Sequence, residues 1–102
     1  MLEVAVRWTD LDRNGHVNNL SYVAWTVESV PREILHEATP RELAISFRSE
    51  CRGDASVAVQ CARDTSGSVG GREVFRHRIV ERETGRELSL ARTAWARVEL
   101  GR

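Results

Sequence analysis

The sequence contains no lysine; its fifteen basic side chains are all arginine, and fifteen acidic ones balance them to a formal charge of zero. One function would rarely exclude every lysine, so we read this as GC-rich coding bias. A neutral chain has no global pull toward nucleic acid or membrane, and neither is expected as a partner. Cysteine is scarce. Cys51 and Cys61 form no CxxC pair and no Cys/His spacing that fits a metal, which argues against zinc and leaves no cofactor to expect. No apolar run approaches membrane-spanning length. Met1-Leu2-Glu3 leads directly into strand pattern, without the basic and apolar regions of a secretory leader. The expectation is a cytoplasmic protein with reduced thiols. With 102 residues, 41% of them hydrophobic, the chain reads as one domain, 1–102, with a thin core. Such a domain often gains stability by pairing with another copy.

What is present is a clear alternation of element types. Leu2, Val4, Val6 and Trp8 share one face of a strand. Leu20, Val23, Ala24, Val27 and Ile34 have helical spacing and predict the buried face of a helix, with Asn18 or Asn19 as its N-cap. Pro31 predicts a break near Ser29, followed by a short turn through Leu35. After Pro40 the period becomes two, with Leu43, Ile45, Phe47, Ser49 and Cys51 on one face. Arg52-Gly53-Asp54 predicts a turn, and Val57, Val59 and Cys61 the next strand. A loop over 65–71 separates it from a strand over 72–83, and a tight turn at Thr84-Gly85 leads to a last strand over 87–100. Short links favour antiparallel pairing, so the class is α+β: one central helix and a five-stranded antiparallel sheet.

The densest chemistry lies between the first strand and the helix. Asp10, Asp12, Asn14, His16, Asn18 and Asn19 fall within one short junction. Burying such groups without partners would cost free energy, so each needs either a partner or a function. Taken singly they have plain readings. Asp10 and Asp12 can cap and turn the chain, and His16 can be a structural histidine.

The segment Asp12-Arg13-Asn14-Gly15-His16-Val17-Asn18-Asn19-Leu20-Ser21-Tyr22 resembles the Asp-x-Asn-x-His-Val-Asn-Asn-x-x-Tyr motif of acyl-ACP thioesterases. Trp25, Glu28-Ser29, Arg48-Ser49-Glu50-Cys51-Arg52, Gly85-Arg86-Glu87 and Arg92-Thr93-Ala94-Trp95 resemble further segments of that family, in the same order. The element order is likewise similar to the hotdog fold, in which a curved sheet wraps one long helix. The family usually carries two hotdog modules in one polypeptide, and this chain resembles the second, catalytic one. The resemblance implies hydrolysis of fatty acyl thioesters, with acyl carrier protein (ACP) as the carrier. It also implies a homodimer, or pairing with a second hotdog module. Two alternatives stand beside it: a small stand-alone acyl-CoA thioesterase, and a non-catalytic module that binds acyl groups or assembles with a partner.

The resemblance places the catalytic group on Asp12, Asn14, His16, Glu50 and Cys51. His16 can exchange protons near neutral pH, and Asn14 can orient a water or the imidazole. Backbone N–H groups of Val17, Asn18 and Asn19 lie at the predicted helix N-terminus, where an oxyanion would be favoured. Neighbouring strand residues face opposite ways, so Glu50 and Cys51 should not both reach the site. Cys51 shares its face with Leu43, Ile45 and Phe47 and reads as a core thiol. Glu50 is the preferred water-activating base, Asp12 has a supporting or alternative base role, and direct carboxylate attack is the other route. Tyr22 and Trp25 read as packing residues whose ring edges can line a substrate pocket. Cys61, His36 and His77 receive no role. Arg72, Arg76, Arg78 and Arg82 share strand parity, forming either a carrier-docking stripe or a solvated outer face.

Overall fold

A computed structural model describes residues 2–97. Strand β1 (Leu2–Ala5) pairs antiparallel with β3 (Ser56–Arg63), Leu2 opposite Val59 and Val4 opposite Val57. Its half-buried Leu2 and Val4, with Val6 beyond the strand, pack on the main core. The strand stops at Ala5, short of the expected Trp8. A 3-10 turn, Trp8–Asp10, replaces it and leaves Trp8 86% exposed. The cause is local: the Asp10 carboxylate accepts the Arg7 backbone N–H at 2.8 Å and bends the chain out of the sheet.

Helix α1 (Asn19–Glu28) starts at Asn18, whose side-chain oxygen accepts the Ser21 N–H at 2.9 Å. Its buried face is rotated from the expected one. Ser21, Tyr22, Trp25 and Thr26 are buried, Leu20 is 79% exposed, Ala24 is exposed, and Val23 and Val27 are half-buried. Two hydroxyls explain the shift. Ser21 donates to Asp10 at 2.8 Å and Thr26 to the Tyr22 carbonyl at 2.8 Å, so both enter the core without an orphaned polar group. Pro31 caps a second short helix, α2 (Arg32–Glu37), whose Ile34 is buried.

Strand β2 (Ala38–Phe47) starts before Pro40 and ends before Ser49, so Glu50 and Cys51 lie outside it. It occupies a sheet edge, where a residue without an N–H is tolerated, and its register shifts between Pro40 and Glu42. Strands β4 (Arg72–Glu81) and β5 (Glu87–Arg97) complete an antiparallel sheet in the order β1-β3-β4-β5-β2. β4 ends two residues before the expected boundary. The last residues of the expected final strand, 98–100, lie outside the described residues. A bulge opposite Ile79–Val80 turns Leu88 inward. Tyr22 and Trp25 then pack with Val57, Val59, Ile79 and Leu88, while Phe75 and Trp95 pack with Val30 and Ile34. Each fully buried aliphatic side chain here is worth about 1.5–3 kcal/mol.

His77, to which the sequence offered no partner, holds the helix end to the sheet. It is buried, 2.8 Å from Ser29 Oγ through Nδ1 and 2.8 Å from Thr93 Oγ1 through Nε2. Ser29 gives its proton to the Thr26 carbonyl at 2.7 Å, so His77 donates from Nδ1. Its bare Nε2 accepts from Thr93, whose oxygen also accepts the Trp95 indole N–H at 3.0 Å.

Burial lowers the His77 pKa from 6.5 to about 4. Between those values the unfolded chain binds a proton that the folded chain does not. The stability carried by the neutral ring is complete above pH 6.5 and is lost as the pH falls toward 4. The effect is on the order of 3 kcal/mol. His77→Gln should flatten the stability–pH profile across this window in urea titrations; slopes equal to the parent's would contradict it.

Candidate active site

The junction between β1 and α1 is built around one buried carboxylate. Asp10 is 3% exposed and accepts from the Arg7 N–H and the Ser21 hydroxyl, each at 2.8 Å. Burial raises its pKa, but the bonds from Arg7 and Ser21 outweigh burial and hold the group below the ordinary aspartate value. Its carbonyl accepts the Asn18 N–H at 2.8 Å, which fixes the helix start against the 3-10 turn.

The motif loop folds back on itself between these anchors. The Asp12 N–H donates to the His16 carbonyl at 2.8 Å, and Leu11 bridges Val17. Asp12 Oδ1 accepts the N–H groups of Asn14 and His16 at 2.9 and 3.1 Å. Gly15 has φ 74°, in the left-handed region that permits the reversal.

This loop is tied to the segment that follows β2. His16 pairs with Arg52 as an isolated bridge, and the Val17 N–H donates to the Cys51 carbonyl at 2.9 Å. The pairing faces the His16 ring toward Glu50, with Nε2 3.6 Å from the carboxylate. That is just beyond direct hydrogen-bond length. The His16 side chain is 28% exposed and that of Glu50 78%. Together with Asp12, Asn14, Val17, Asn19, Tyr22, Phe47, Arg48 and Ser49 they line a cavity of about 350 Å³.

The structure thus brings Asp12, Asn14, His16 and Glu50 to one cavity. It does not bring Cys51, which is fully buried in the main core and whose thiol pKa is raised by burial. Of the expected oxyanion donors, the Val17 and Asn18 N–H groups are already bonded, to Cys51 and Asp10. The Asn19 N–H has no acceptor among the described residues and is the remaining donor at the cavity. Trp25 lies behind the cavity wall in edge contact with Tyr22, ring centroids 5.7 Å apart, and so does not line the cavity as expected. The sequence reading missed Phe47, Arg48 and Ser49. Their signal was proximity to Glu50 on a strand taken to run on through Cys51.

A larger hollow of about 600 Å³ crosses β2 to β5 away from the motif. Its rim arginines are engaged: Arg76 with Asp64 at 3.0 Å, Arg78 with Glu87 at 2.9 Å and Arg92 with Glu42 at 2.8 Å. Arg72 and Arg82 bind Glu42 and Glu3 at 2.7 and 3.3 Å, so the whole stripe is charge-paired. This hollow holds fewer chemically competent groups than the smaller cavity. Its His77 is bonded through both ring nitrogens, and burial raises the pKa of its Cys61 thiol. Among the described residues no three His, Cys, Asp or Glu side chains converge as metal ligands.

A sequence-family description of the acyl-ACP thioesterase C-terminal domain matches residues 1–97. An acyl-[acyl-carrier-protein] hydrolase of Cuphea viscosissima, chloroplastic, is 38% identical over 89 residues, covering 87% of this chain and 21% of the relative. A chloroplastic dodecanoyl-[acyl-carrier-protein] hydrolase of Umbellularia californica is 40% identical over 89 residues, 87% of this chain and 23% of the relative. The chain therefore spans about a fifth of the length of the curated relatives it matches. Among solved structures, a 12:0-ACP thioesterase from Umbellularia californica superposes with a TM-score of 0.82 at 36% identity, covering 93% of this chain and 34% of that one. A thioesterase from Thermus thermophilus superposes at 0.83 over 99% of this chain and 80% of that one, at 17% identity, which speaks to the fold alone.

The Tyr22 hydroxyl is buried without a partner among the described residues, and burial raises its pKa to about 12. Removing it leaves nothing unsatisfied, so Tyr22→Phe should keep or raise Tm, by up to about 1 kcal/mol of stability. A clear fall in Tm by differential scanning fluorimetry would show that the hydroxyl is engaged.

Proposed function

The chain belongs to the acyl-ACP thioesterase family, as its C-terminal domain, and we propose that it hydrolyses fatty acyl thioesters, foremost acyl-ACP, to free acid and carrier thiol. Its α+β architecture is the hotdog fold of its structural neighbours. The single observation that carries the proposal is the convergence of Asp12, Asn14, His16 and Glu50 on one cavity, with His16 3.6 Å from Glu50.

In this reading Glu50 takes a proton from a water that attacks the thioester carbonyl, and Asn14 orients that water. The carbonyl oxygen becomes anionic and is met by the free Asn19 N–H at the positive end of α1. Collapse of the adduct breaks the carbon–sulfur bond, and the proton taken by Glu50 passes through His16 to the departing thiolate, which returns both side chains to their starting states. Asp12 lines the cavity and gives one oxygen to two backbone N–H groups of the loop, which supports a positioning role ahead of a nucleophilic one. The burial of Cys51 supports a mechanism without a thiolate. The cavity opens beside Phe47, 43% exposed at the end of the edge strand β2. That exposure supports the further part of the proposal: a second copy, or the family's other hotdog module, pairs here.

The test is turnover of acyl-ACP and acyl-CoA at equal acyl length. His16→Gln and Glu50→Gln should each lower kcat/KM by about 10²–10⁴ with Tm unchanged, since both side chains reach solvent. Hydrolysis of neither carrier by the parent protein, or full activity in both variants, would overturn the proposal. A preference for CoA would replace the carrier and keep the chemistry.

A further inference from the structure

The arginines divide into two groups, and the division marks the mouth of the cavity. Those on β3, β4 and β5 all lie within ion-pair distance of a carboxylate. So do Arg7, Arg32, Arg82 and Arg86. Among the described residues, Arg13, Arg41, Arg48 and Arg52 are the ones with none. Arg41 lies on the edge strand β2. The other three are exposed and belong to the two segments that make the active site.

Arg48 lines the cavity beside Glu50. Arg52, the bridge partner of His16, lines an adjoining hollow of about 340 Å³ with Asn14, His16 and Asp54. Arg13 sits on the motif loop between Asp12 and Asn14. Each of Arg48 and Arg52 is two residues from Glu50, at most about 7 Å along the backbone to either side. The acids nearby do not neutralise them. Glu50 faces His16, one oxygen of Asp12 is held by two backbone N–H groups, and Asp54 forms no ion pair with Arg52. In a chain whose other arginines are nearly all matched, unmatched guanidinium groups at the cavity mouth are available to an anion from outside.

We propose that Arg48 and Arg52, with Arg13 at the rim, bind the phosphate of the pantetheine arm that carries the acyl group. This rests on the hydrolase reading above, which supplies the arm. The sulfur sits at the inner, reacting end beside His16 and Glu50, and the phosphate marks the outer end, where the arm leaves for its carrier. A guanidinium clamp there would fix the arm and hold the thioester in register with the catalytic groups. The carrier-docking charge therefore lies on the 48–52 segment and the motif loop, and not on the Arg72–Arg82 stripe, whose members are paired.

Two measurements test this. The first is binding at low salt, followed calorimetrically, of pantetheine, 4′-phosphopantetheine and coenzyme A. The parent should bind 4′-phosphopantetheine at least tenfold more tightly than pantetheine. The Arg48→Ala/Arg52→Ala double variant should lose that difference, while Arg78→Ala keeps it. The second is the ratio of kcat/KM for acyl-ACP to that for the N-acetylcysteamine thioester of the same acyl group, which lacks phosphate. The double variant should lower the ratio at least tenfold, and added salt should lower the parent's ratio in the same direction. An unchanged ratio in a hydrolysing double variant overturns the phosphate site and leaves the hydrolase reading standing. Arginine-dependent phosphopantetheine binding without any turnover does the reverse. Arginine dependence seen with coenzyme A alone assigns the charge to the nucleotide phosphates and overturns the proposal.

Discussion

The buried carboxylate of Asp10 is the constraint on which the site depends. It ends the first strand by binding the Arg7 N–H, and it draws Ser21 of α1 into the core. Its carbonyl receives the Asn18 N–H that sets the helix start. Strand exit, loop end and helix entry therefore meet in one residue. The loop between them has little freedom, and its own bonds at Asp12 use up the rest. A catalytic arrangement needs this rigidity, because small displacements of reacting groups are costly in rate.

The second requirement is that two distant segments meet. The chain leaves β2 at Phe47, where the amides of Arg48 and Ser49 turn to the Leu88 carbonyl at 2.8 and 3.3 Å. Leu88 is the residue that the β5 bulge turns inward. The chain then runs beside the motif loop, which binds it through the Val17 N–H and the His16–Arg52 bridge. Glu50 is carried to His16 by this backbone pairing. An ion pair between the two side chains is not needed to hold the site together, which leaves both free for the proposed proton transfers.

Much of this was legible in the sequence. Alternation located β3, β4 and β5, and the Asn-rich junction located the helix cap at Asn18. Strand parity separated Glu50 from Cys51 correctly in orientation, although both lie beyond the strand and their opposition comes from the bridge to the loop. The failures share one cause: hydrogen-bond partners that periodicity does not show. Leu20 and Ala24 read as core, but Ser21 and Thr26 took that place because their hydroxyls found acceptors. His77 read as idle because its partners sit 48 and 16 positions away. The arginine stripe stayed open between a docking surface and a solvated face because the acids that pair it, among them Glu3, Glu42 and Asp64, lie on other elements.

In the proposed mechanism His16 and Glu50 act on the same bond-breaking event. A double-mutant cycle on kcat/KM tests it most directly, with His16→Gln, Glu50→Gln and the pair together measured on one acyl thioester. Residues that work as a unit are strongly non-additive, so the double variant should be little slower than the slower single one. Losses that multiply across the two positions would place them in separate steps and contradict the account.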